Sequence, residues 1–265
     1  MSPAPPAPPA APAPRPPASG TLLRVLTHTQ NASAAVFGVF LGVHLAAPLA
    51  AAVGGLSGAD GAMLIGREYY LPLEPIAVFA PLGLHVAASI ARRALLAARS
   101  GPRRLSTQQY LGYALIPLVF PHVLLHRIIP SEDAAPISAL SPSEFGFEFV
   151  ANAVATRPWM TAGYVALTGV ALWHTLVGGM KVVGWARRLA GRRGGDGEVA
   201  GAGAAPRVVG KRRRIGLRGI VGVLVGLVGL GLWRLGGESA GLSTAVVRRY
   251  DALYAAAPWA SLGLK

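Results

Sequence analysis

Five apolar blocks, each about the length of a bilayer crossing, constrain this chain more than any other feature. They run from about Ser33 to Val53, Leu71 to Leu96, Tyr110 to Ile129, Trp159 to Val183 and Ile215 to Leu235. A hydrocarbon core needs ~20 consecutive apolar residues. Backbone groups in lipid must be satisfied within their own segment, so each block is predicted as a helix. The short alternating segments of an outer-membrane barrel are absent. Composition agrees: 52% of the 265 residues are hydrophobic and only 14% charged, where a soluble chain carries about a quarter charged. The expected fold is therefore all-α, an integral membrane bundle of five transmembrane helices.

The net charge of +14 is unevenly placed. Arg92, Arg93, Arg99, Arg103 and Arg104 lie between the second and third blocks with no acid among them. Between the fourth and fifth lie Arg187, Arg188, Arg192, Arg193, Arg207, Lys211, Arg212, Arg213 and Arg214 against Asp196 and Glu198. The alternate connections are near neutral or acidic, with Asp60, Arg67 and Glu68 in one, and Glu132, Asp133, Glu144 and Glu148 against Arg127 and Arg157 in the other. Basic connections stay on the cytosolic side, which predicts a cytosolic N-terminus and a C-terminus across the membrane. Such loops attract anionic phospholipid head groups. No base-stacking or groove-reading module accompanies the charge, so nucleic acid is not an expected partner. The absence of cysteine excludes disulfides, thiolate zinc sites, iron–sulfur clusters and covalent haem attachment.

The chain divides into a Pro/Ala-rich tail over 1–20, a four-helix membrane core over 21–186, a basic flexible loop over 187–214, the fifth helix over 215–235 and a C-terminal segment over 236–265. Nine of the first twenty residues are proline, which predicts a disordered, polyproline-type tail able to present P-x-P to an aromatic groove. Ser33 is the expected N-cap of the first helix, and GGLSGADG its glycine-rich close. Gly219, Gly222, Gly226 and Gly229 make a small-residue stripe suited to close helix contact. Val246, Val247, Tyr250, Leu253, Tyr254 and Ala257 suggest an amphipathic helix at the far interface.

Histidine is the residue type that apolar spans least explain, because ionisable groups in a lipid-embedded helix are costly and usually have a task. His44, His85, His122 and His174 stand on four different helices. Depth follows from the helical rise, measured from the boundary that the first block reaches at its C-terminal end. His44 lies about 15 Å in and His122 about 10 Å, whereas His85 lies about 20 Å in and His174 about 24 Å. Two pairs at two levels result, His44 with His122 and His85 with His174. Paired imidazoles from facing helices are what bis-histidine ligation of haem b requires. They also suit interhelical hydrogen bonding without a cofactor. Gly42, Gly83, Gly178 and Gly179 leave room near the ligands for a flat macrocycle. His126 is too shallow for either level and is expected to be a solvated interfacial residue, as is His28. Glu74 stands about one turn inside the second block, where it needs a partner; Arg67 and Arg157 are the candidates.

The order of four segments resembles a known family. LTHTQNASAAVFGVFLGVHLAAP, REYYLPLEPIAVFAPLGLHVAASIARR, LSTQQYLGYALIPLVFPHVLLHRIIP and RPWMTAGYVALTGVALWHTLVGGMKVVGW, over roughly residues 21 to 186, are similar to the fungal mitochondrial outer-membrane lipid-homeostasis protein. Extra copies of that protein compensate for loss of the endoplasmic reticulum–mitochondrion tether. His44, His85, His122, His174, Arg67, Tyr70, Glu74, Arg127 and Pro130 match the family's pattern; His126 departs from it, where an amide is expected. The resemblance implies a membrane domain similar to the cytochrome b anchors of succinate dehydrogenase and fumarate reductase. It also implies a mitochondrial outer-membrane location and no enzymatic activity. The implied role is that of receptor for a chorein-type lipid-transfer protein, bound through a P-x-P element for which Pro12, Pro14 and Pro16 are the candidates. The alternative is a b-type haem-binding membrane cytochrome.

Overall fold

The structure, a computed structural model, describes residues 18–102, 104–139, 145–193 and 211–260. The proline-rich tail, with Pro12, Pro14 and Pro16, and residues 194–210 of the basic loop lie outside the described residues. The regular structure of the described residues is all helical, and five helices are long and apolar enough to cross a membrane.

The first helix, α1 (Ala18–Tyr70), is two rods joined at Gly55. There φ is +59° and ψ −143°, a left-handed conformation that glycine adopts without steric cost. The chain reverses at this point, and the second rod runs back along the first. Gly58 faces the Ala50 carbonyl, Gly66 faces Val43, and Tyr70 meets Phe40 edge-on. The same antiparallel run continues through a 3-10 turn (Leu71–Leu73), a π turn (Pro75–Phe79) and α2 (Ala80–Ser100) to His85 beside Gln30 and Arg92 beside Thr27. Residues 56–70 thus run back along the first rod ahead of the second candidate span, Pro75–Ser100, which lies close to the expected Leu71–Leu96. Ser33 is no N-cap: it lies buried in mid-helix, with its hydroxyl donating to Thr29 O at 2.7 Å.

Two charged side chains of the last span complete the reversal. Arg234 donates to the carbonyls of Ala52 and Val53 at 3.2 and 2.6 Å, and Glu238 accepts from Leu56 N–H at 2.7 Å. A cation thus meets the orphan carbonyls of one rod and an anion the orphan amide of the next, as the helix dipoles favour. A Cβ at Gly55 would stand 2.0 Å from Glu238 Oε1.

α3 (Thr107–Val123) starts at a Ser106/Gln109 capping box and runs through a second π turn (Leu124–Ile128) to Ser131. A short helix that the sequence did not announce, α4 (Glu148–Thr156), precedes α5 (Pro158–Arg193); α6 (Lys211–Glu238) and α7 (Thr244–Ala256) complete the chain. α1 packs on α2, α5 and α6, and α3 packs on α5, whereas α2 and α3 share no comparable backbone contact. The spans form a ring in the order α2, α1, α5, α3, open between α2 and α3.

The fifth span is part of the bundle, not an appendage. Its contact glycine is Gly231, where a Cβ would meet Pro48 O and Ala51 at 2.9 Å. The predicted stripe of Gly219, Gly222, Gly226 and Gly229 is not what packs: only open space lies beside those four. At the end away from the basic connections, residues 129–139 and 145–157 and α7 close into an aromatic cap. Phe145, Phe149, Tyr250, Leu253, Tyr254 and Ala257 are buried together there. The apolar face of α7 is thus covered by protein, not laid on lipid as its pattern suggested. Arg157 stacks 3.9 Å above Tyr254 and pairs with Asp251 at 2.7 Å, and Asp60 accepts from Phe147 N–H at 2.7 Å at the start of α4.

Candidate functional site

The four span histidines meet in two pairs, each crossing a diagonal of the ring. His85 on α2 faces His174 on α5, with ring centroids 6.2 Å apart and planes at 87°. His44 on α1 faces His122 on α3, at 5.8 Å and 77°. Gln30 to His44 and Gln108 to His122 are both fourteen residues, so the tiers lie about 21 Å apart along the bundle. One tier is near the basic connections, the other near the cap.

In the basic-side tier, His85 Nδ1 lies 3.1 Å from Gln30 O, and His174 Nδ1 lies 3.1 Å from Gln108 O. A carbonyl only accepts, so both Nδ1 atoms carry the proton and both Nε2 atoms keep a lone pair. Gln108 returns the contact, donating from Nε2 to His174 O at 2.8 Å. Gly112 lets the His174 ring lie close, since a Cβ there would be 2.9 Å from Cε1. Gly178 makes room for the Gln108 amide instead of for a macrocycle, whereas open space lies beside Gly42, Gly83 and Gly179. Gln108 Oε1 is buried without a partner.

The cap-side tier has no carbonyl to fix a tautomer. His44 stacks on Phe40 at 5.3 Å, and His122 lies 4.6 Å from His126, with its Nδ1 buried and unpartnered. His126 is not solvated, as its shallow position had suggested. It packs edge-on to Phe149 and shares a 3.1 Å hydrogen bond with the Tyr164 hydroxyl. A cavity of about 600 Å³ beside these rings is lined by His122, His126, Tyr164, Trp159, Gly163 and Trp259, among others. His28 stays exposed and accepts from the Trp185 indole at 2.9 Å.

Glu74 finds its cation in neither expected arginine. Arg127 Nε and Nη2 meet its carboxylate at 2.7–2.9 Å, each residue lying at or in a π turn. Arg67 donates to Phe145 O, and Arg157 belongs to the cap. Helical depth in α3 was the available signal, because Arg127 stands five residues beyond His122, at the boundary where α2 enters. Outside the spans, burial followed by the adjacent Glu148 carboxylate pushes the Tyr250 phenol up from its usual pKa, and burial also raises Tyr254.

The basic-side pair passes a fit test for bis-imidazole ligation of haem b. Two metal–imidazole bonds of about 2 Å place ring centroids roughly 6 Å apart, and metal-ligating histidines usually donate their other nitrogen to a carbonyl or carboxylate. The cap-side pair meets the distance but lacks the outer bonds. Among the described residues, no group of three or more His, Asp or Glu could hold a bare metal ion.

The family described as MDM10-complementing protein 1, transmembrane domain, matches residues 117–249, half of the chain. That stretch holds His122, Arg127, His174 and α4 through α6, while His44, His85 and the Gly55 reversal precede it. No curated protein and no solved structure matches.

Proposed function

Because this chain belongs to the family of MDM10-complementing protein 1, multi-pass mitochondrial membrane proteins implicated in lipid homeostasis and not known as enzymes, we propose that it is an outer-membrane receptor for a chorein-type lipid-transfer protein. In this reading the five spans anchor the chain with its N-terminus in the cytosol. The tail around Pro12, Pro14 and Pro16 recruits the bridge protein at a contact site, and the basic connections hold anionic phospholipid beside it. The family match over residues 117–249 carries the reading. The alternation of the crossings supports it, because the basic connections after the second and fourth spans then share a side with the tail. Pull-down of the bridge protein by full-length chain, but not by chain lacking residues 1–20, is the expected result; equal capture would remove the tail from the account.

A second reading is favoured by the carbonyl-bonded histidines: a b-type cytochrome in which His85 and His174 would hold one haem. Bound there, haem supplies one-electron exchange; the chain's own contribution is to hold both Nδ1 protons on carbonyls and keep both Nε2 lone pairs available. Detergent-purified protein then shows a Soret band with bis-imidazole α and β peaks. A featureless spectrum after haem addition rejects this reading.

A further inference from the structure

We infer that Arg92 and Lys181 form an anion site above the basic-side histidines, suited to the two carboxylates of an iron porphyrin. The inference rests on the haem reading above, not on the receptor reading. Each cation follows a candidate ligand by seven residues, Arg92 after His85 and Lys181 after His174. Seven residues are two turns, so each pair shares a helix face about 10 Å apart along the axis. Both helices run toward the basic end, and helical side chains lean back toward the N-terminus. Both cations therefore tilt down over the histidine pair.

Their surroundings lack the partner such charges need. Arg92 Nε donates to Thr27 Oγ1 at 3.1 Å, one turn from Gln30, the His85 acceptor. Lys181 stands within electrostatic reach of both Arg92 and His174. The ion pairs among the described residues are Glu74–Arg127 and Arg157–Asp251, so no carboxylate among the described residues holds either cation. Two like charges gathered beside the histidine pair repel each other until an anion joins them. An iron porphyrin held by His85 and His174 would bring two carboxylates with it. Arg92 offers a planar fork to one, and Lys181, at the rim, a mobile ammonium to the other.

The test compares iron protoporphyrin with its dimethyl ester, which keeps the ring and iron but loses both negative charges. Full-length protein in neutral detergent is titrated with each and followed by the Soret band, with reduction potential as a second readout. The expected result is at least tenfold tighter binding of the free acid, with that ratio falling toward one in the Arg92→Gln/Lys181→Gln double variant while bis-imidazole bands persist. The wild-type comparison stands even if the double variant does not fold. Equal affinity for acid and ester overturns the anion site and leaves the haem reading intact. Absence of a Soret band with either porphyrin removes both. A preference erased by phosphatidic acid in the micelle assigns the cations to lipid phosphate and also overturns the inference.

Discussion

The two histidine tiers match in ring separation and differ in almost everything around the rings. Near the basic end, each imidazole is bonded to a main-chain carbonyl of another helix, and its free nitrogen is chemically defined. Near the cap, four rings from Phe40, His44, His122 and His126 lean on one another, and one nitrogen has no partner. Centroid distance alone would rank the two as equals. The outer hydrogen bonds separate them, because a ligand nitrogen must be both correctly protonated and correctly aimed. One tier is built like a ligand pair, the other like a polar packing layer that borders a cavity.

That contrast can be broken most directly by deletion. His85→Ala or His174→Ala is expected to abolish the Soret band of haem-loaded protein, whereas His44→Ala and His122→Ala leave it; the opposite pattern in a spectrophotometric titration would reverse the assignment. A smaller effect follows from Gln108→Ala, which removes the return bond to His174 O. Outer-shell losses of this kind cost on the order of 10-fold to 100-fold in affinity, so weaker haem retention without loss of the bis-imidazole bands is expected.

On the cap side the expected effects are on stability. Glu74→Gln leaves Arg127 without its anion; because Arg127 is 39% exposed, the cost should be about 1 kcal/mol, readable as a lowered melting temperature in detergent. Alkaline pH supplies a related probe. Tyr250 and Tyr254 have phenol pKa values raised in the folded state, chiefly by burial. Their stabilisation is complete below the unfolded value of about 10 and is lost as pH rises through the folded values. Melting temperature should therefore begin to fall above about pH 10, and Tyr250→Phe should flatten the decline. Because Phe149 touches both Tyr250 and His126, this loosening should reach the cap-side tier first, with basic-side spectra changing later. An effect of similar size, about 1 kcal/mol, is expected from Tyr164→Phe, which removes one hydrogen bond to His126.

The sequence displayed the five crossings and the pairing of histidines by depth, since both depend on a fixed rise per residue and on the cost of polar groups in lipid. It hid the helical rod over residues 56–70 that runs back along the first span. Asp60, Arg67 and Glu68 lower the hydropathy of residues 56–70, and the sequence cannot show that Asp60 and Arg67 end on main-chain groups of Phe147 and Phe145. It also hid α4, a nine-residue helix in a stretch that reads as a connection. The Glu74 partner lay beyond local reasoning, because Arg127 is fifty-three positions further along the chain. Periodicity reports which face of a helix is apolar, and for α7 it did not say whether lipid or protein would cover that face.

The reversal at Gly55 ties the earliest part of the polypeptide to the latest. Its exposed helix ends are met by Arg234 and Glu238, which leave the ribosome some 180 residues after them. Until then the newly inserted hairpin carries raw amide and carbonyl ends, so a product truncated before the last span is chemically marked as unfinished and should be a preferred target of membrane quality control.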